Sequence, residues 1–139
     1  DVSPKKEYWP LIKGYYASYP GWLSSTRIYL DCGDYKVYEK DDKLWLKSLY
    51  GDLKKGVRLY PTENPLVFQY KQDSASGDIF PTTRVGFTLN ETAGKVKEMG
   101  IHYFKLRKVP LFSTMRFKLY VVGFLAIVLI VLAILLESL

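Results

Sequence analysis

Apolar and polar positions alternate with a period of two through most of this chain, interrupted by turn residues every 8 to 12 positions. "GYYASY" (14–19) ends at Pro20-Gly21, and "TRIYLD" (26–31) and "YKVYEK" (35–40) are split by Cys32-Gly33-Asp34. "KLWLKSLY" (43–50) follows Asp41-Asp42 and sets Leu44 and Leu46 on one face, Trp45 and Lys47 on the other. "LKKGVRLYP" (53–61), "PLVFQYK" (65–71), "TRVGFTL" (83–89) and "KVKEMGIHYFKLRKV" (95–109) complete the set. Short strands at regular spacing, with Gly and Pro confined to the joints, predict an all-β domain over 14–109. The expected architecture is a small antiparallel up-and-down barrel of about eight strands. The last strand is too long to be straight: Val96 and Glu98 share one parity and Met99, Ile101 and Tyr103 the other. A bulge is expected near Gly100 to reconcile this early phase change. The opening "DVSPKKEYWPLIKG", with two prolines and mixed charge, reads as a linker over 1–13.

The pattern changes abruptly after a connector at 110–116. From Leu119 to Leu136 there is no charge and no proline, and the run is apolar on every side. A bilayer core of roughly 30 Å needs about 20 apolar helical residues. A domain this small has too little interior to wrap such a helix. The expectation is therefore one transmembrane α-helix over 117–137, with the lipid bilayer as a partner and Tyr120 at the interface.

Charge supports that division. The chain carries 20 Lys and Arg against 14 Asp and Glu. Five of those bases, Lys105, Arg107, Lys108, Arg116 and Lys118, lead into the apolar run. Residues 1–104 hold 15 bases against 13 acids. The basicity thus belongs to a membrane collar, where bases meet anionic headgroups, and no basic stripe for nucleic acid remains on the body. A single cysteine, Cys32, excludes an internal disulfide and a Cys-based metal site. Lone His102 has no ligand partners at useful spacing and reads as structural, so neither metal nor cofactor is expected.

The succession "GYYASYPG", "KVYEKDDKLWLKSLYGDLKKGVRLYPTENPLVFQYKQ" and "GDIFPTTRVGFTLNETAGKVKEMGIHYFKLRK" resembles the C-terminal lipocalin-like domain of serine β-lactamase-related proteins. These are penicillin-binding-protein-like hydrolases and peptidases, with archaeal members among them. The resemblance spans residues 14 to about 108 and rests on a pattern of β-hairpins. It implies an eight-stranded barrel appended to a serine β-lactamase-like catalytic domain in the same parent chain, influencing substrate access or assembly. The Gly-x-Trp opener of true lipocalins is replaced here by adjacent Gly21-Trp22.

Enzymes of that family use S-x-x-K, with the lysine one helical turn after the nucleophile. "SPKK" at Ser3 to Lys6 has the spelling, but Pro4 and the lack of a following helix place it in the linker. Neither a K-T-G strand nor a G-x-S-x-G elbow nor H-E-x-x-H occurs, so this chain is read as non-catalytic. Tyr15, Trp45, Phe68, Tyr70 and Phe87 are the candidates to fill the barrel or line a cavity. A barrel of about eight strands can be just full of side chains or hold one small ligand, and filling is preferred because the abundant large rings would occupy the space. The alternative is a stand-alone membrane-anchored carrier or sensor for a small apolar ligand. Asn90-Glu91-Thr92 is a glycosylation sequon at an expected hairpin tip. The basic collar favours a cytoplasmic β-domain. The sequon and the resemblance favour the opposite side, and an extracytoplasmic domain is expected. Self-association is left open.

Overall fold

The computed structural model describes residues 3–19, 33–51, 53–71, 83–90, 94–101 and 104–139. Among them the chain forms a short helix α1 (Trp9–Ile12), nine strands and a long helix α2 (Met115–Glu137). The strands are β1 (Gly14–Ser18), β2 (Tyr35–Lys40), β3 (Lys43–Ser48), β4 (Val57–Arg58), β5 (Tyr60–Pro61), β6 (Val67–Tyr70), β7 (Thr83–Asn90), β8 (Lys95–Ile101) and β9 (Phe104–Val109). The expected strand at 26–31, Gly21-Trp22, Cys32 and His102 lie outside the described residues.

All pairings are antiparallel, in the order β4-β3-β2-β1-β9-β8-β7-β6-β5. The two ends of that order are consecutive in the chain, separated by Leu59 alone. Val57 and Arg58 pair with β3, whereas Tyr60 and Pro61 pair with β6. The Leu59 N–H donates to Leu44 O at 2.9 Å, so the segment changes partners there and all but closes the sheet into a barrel. On the other side of the ring, β1 meets β9, with Tyr15 opposite Val109 and Ser18 opposite Leu106.

Period-two alternation decides which side chains enter. In β3, Leu44, Leu46 and Ser48 are buried while Trp45 and Lys47 stand outward. The β2–β3 hairpin turns at Asp41 and Asp42, both at positive φ (53° and 62°). That is the twist two-residue hairpins need, and Asp tolerates it through local hydrogen bonding. Inside, Val37, Leu46, Val85, Met99, Ile101 and Leu106 are almost wholly excluded from water. Each such side chain contributes about 1.5–3 kcal/mol of transfer free energy.

Two expectations are corrected. Residues 1–13 are not simply a linker: α1 and the 3-10 turn before it bring Trp9 and Ile12 into the core. The Lys13 N–H caps α1 by donating to Trp9 O at 2.9 Å. The long last strand is not one bulged strand. It breaks into β8 and β9, which pair with each other from Ile101 opposite Phe104 to Glu98 opposite Arg107. The early phase change, from buried Val96 to buried Met99, is a bulge in β8 three residues before Gly100. Leu89 pairs with Val96 and Thr88 with Glu98, which leaves Lys97 as the extra residue. Only the later change at Phe104 is a reversal of direction.

Helix α2 carries an apolar stretch long enough to cross a bilayer, and none of that stretch is buried against the barrel. It begins two residues before the expected start. Thr114 caps it, its Oγ1 accepting from the Phe117 N–H at 3.2 Å.

Candidate functional site

The barrel interior holds three of the aromatic residues singled out from the sequence, and the foot of α2 holds Arg116. Phe68, Tyr70 and Phe87 are buried inside. Tyr15 and Trp45 are not: Trp45 stands on the outer wall, where its Nε1 donates to Lys40 O at 3.1 Å. Tyr15 stands there too, opposite Lys36. In "GYYAS" both phases offer an aromatic, and it is Tyr16 that enters. Its partner Tyr35, buried in β2, fixes that phase. The rings of Tyr16 and Phe68 each meet Phe87 at centroid distances of 5.6 and 5.9 Å, so aromatic packing reaches across the interior.

The Tyr16 hydroxyl donates to Ile12 O at 2.6 Å, tying α1 to the first strand. Burial raises the pKa of Tyr16, and that of Tyr70, above the ordinary tyrosine value of 10.0. A raised pKa means the fold keeps its proton while the unfolded chain releases it. Stability is therefore full below pH 10.0 and falls as pH rises from there towards the folded-state values. The fall should be about 1.4 kcal/mol per pH unit for each tyrosine held protonated. Lys108, lowered chiefly by burial and then by the charge of Lys95, acts in the opposite sense. Urea titrations across the alkaline range measure the limb. Tyr16→Phe is expected to flatten it, and an equally steep limb in Tyr16→Phe and Tyr70→Phe would show that these hydroxyls do not carry it.

The foot of α2 is the most constrained polar site. Asp34 is fully buried, and Arg116, in the first turn of the helix, is 7% exposed. Asp34 Oδ1 accepts from Arg116 Nε at 2.8 Å, and Oδ2 accepts from the Arg116 backbone N–H at 3.1 Å. One carboxylate thus neutralises the guanidinium and satisfies a free amide at the positive end of the helix dipole. Asp34 is itself placed by backbone: its C=O accepts from the Leu49 N–H at 3.0 Å. Gly33 precedes it at φ 79°, where a Cβ would press on Leu49 and Tyr50. The Arg116 guanidinium also lies over the Tyr15 ring, 5.4 Å from its centroid.

The expected basic collar is corrected accordingly. Arg116 serves this internal ion pair. Lys108 turns its Nζ to Leu11 O at 2.5 Å, and Arg107 is half-buried. Lys105 and Lys118 are exposed. No local pattern in the sequence marks Asp34.

An open groove of about 960 Å³ lies on the outer wall elsewhere, lined by Arg58, Tyr60, Glu63, Gln69 and Arg84 among others. Arg58 stacks on Tyr60 at 4.4 Å. Ser3 is exposed, and Lys6 pairs with Asp42 across an exposed surface. Asn90 ends β7 and is exposed. Among the described residues no three His, Cys, Asp or Glu side chains are grouped to hold a metal. Comparisons with protein-family models, curated proteins and solved structures return no match.

Proposed function

We propose that this chain is a non-catalytic β-barrel module, anchored in the bilayer by α2, that serves as the C-terminal accessory domain of a serine β-lactamase-like hydrolase or peptidase. In that role it shapes substrate access to the catalytic domain, or its assembly, and lies on the extracytoplasmic side. The observation that carries the module reading is the interior, where Tyr16, Phe68 and Phe87 pack ring to ring in the space a ligand would need. The hydrolase partnership is supported by the hairpin resemblance alone. The sequon at exposed Asn90 supports the extracytoplasmic placement.

Two measurements test this. The coding region upstream of Asp1 should encode an S-x-x-K opening a helix, followed by Y-x-N; an initiator Met close to Asp1 would remove the partnership. Native mass spectrometry of the chain cut after Lys118 should find a ligand-free barrel. A co-purifying lipid-like mass, or tight uptake of a fluorescent fatty acid, would favour the carrier instead.

A further inference from the structure

The outer wall of β1–β3 beside the foot of α2 presents cations and aromatic rings in alternation. Arg116 lies 5.4 Å from the Tyr15 centroid, and Lys36 Nζ lies 5.6 Å from the same ring. Lys36 is also 5.8 Å from Tyr38, and Lys47 is 5.2 Å from Tyr38. Lys36 and Lys47 are direct cross-strand partners, an arrangement that like charges disfavour. Asp34 answers Arg116, but no carboxylate among the described residues pairs with either lysine. The charges of Lys36 and Arg116 add to burial in lowering the pKa of Lys47, so the three cations share one field.

The place of this wall identifies what would answer the charge. The uncharged run of α2 begins at Leu119, three residues after Arg116, or about 4.5 Å along a helix. A headgroup layer is roughly 5–8 Å deep on each side of the hydrocarbon, so Arg116 and the Tyr15 ring stacked on it fall within that layer. We propose that the outer wall built from Tyr15, Lys36, Tyr38 and Lys47 is a docking surface for the anionic headgroups of the bilayer that α2 enters. The lysines meet the lipid phosphates, and the tyrosine rings hold the ammonium groups apart and lie at interfacial depth, where tyrosine is favoured. The barrel would then rest on its side wall against the membrane surface.

The inference rests on α2 spanning the bilayer, and the test separates the two. The full chain is reconstituted in nanodiscs of phosphatidylcholine alone, or of phosphatidylcholine doped with phosphatidylglycerol. Lysine acylation is then mapped by mass spectrometry. Lys36 and Lys47 should be protected in the doped discs and not in the plain ones, while exposed Lys54 and Lys55 react equally in both. Native mass spectrometry should show that Lys36→Gln with Lys47→Gln lowers phosphatidylglycerol retention by roughly thirtyfold, about fivefold per lysine. Protection independent of lipid, or a preference abolished by Lys118→Gln alone and kept by the double variant, would overturn the assignment. So would protection in plain discs by a polyglutamate peptide, which would point to an acidic protein partner, or by inorganic phosphate. Failure of the chain to co-float with vesicles would remove the span as well.

Discussion

Replacing Asp34 with Ala is expected to destabilise the barrel by about 3–5 kcal/mol, because it strands a buried guanidinium with no counter-charge. Arg116 would keep its place against Tyr15 while losing both the carboxylate on Nε and the acceptor for its own backbone amide. Arg116→Met should cost a comparable amount by stranding Asp34. The double replacement Asp34→Leu with Arg116→Met should recover much of either loss, since apolar groups of similar volume often substitute for a buried pair without penalty. Guanidinium unfolding of the full chain in micelles, run as a double-mutant cycle, measures the coupling. Single variants that each cost under about 1 kcal/mol would mean that the pair is not held as tightly as its geometry implies.

A charge at the middle of α2 should act on a different quantity. Leu129→Arg is expected to weaken insertion by about 2.5–3.5 kcal/mol while leaving the circular dichroism of the barrel unchanged. Leu129 is 66% exposed and touches none of the core. Fractionation with carbonate washing reads the first effect. The site of truncation matters for the second. A cut after Lys118 keeps Thr114 and Arg116, both buried, and should release a folded, monodisperse barrel. A cut after Ser113 removes the partner of Asp34 and should behave like Arg116→Met. If the longer piece aggregates, more of α2 belongs to the fold than its first turn.

The strand pattern was legible because a barrel wall has one dry face, and that face writes itself into alternate positions. Leu44 and Leu46 against Trp45 and Lys47 is the plainest instance. Legibility failed where both phases were apolar, as at Tyr15-Tyr16, since the choice between them is made by β2. It failed again between β8 and β9, where no Gly-Pro signal marks the reversal, although the bulge three residues before Gly100 was legible in the shift of phase from Val96 to Met99. Four residues of α1 are too few to display a helical period, so Trp9 and Ile12 passed for linker. The helix foot was the least readable of all. Asp34 and Arg116 are 82 positions apart, and each looks like an ordinary surface residue in its own neighbourhood. Thr114, an N-cap type just ahead of the apolar run, was the one local clue that the helix starts early.

The junction of the first and last strands imposes a timetable on synthesis. Tyr15 waits for Val109, a partner 94 positions downstream, so the β1–β9 ladder cannot form until nearly all of the barrel has left the ribosome. Bringing such distant segments together carries a large entropy cost, and folds dominated by remote pairings complete in milliseconds to seconds. Until then β1 and β8 each have one row of unmatched amides and carbonyls open to other chains. The nascent chain is thus a curling ribbon with two reactive margins, and its apolar helix emerges while that ribbon is still being laced shut.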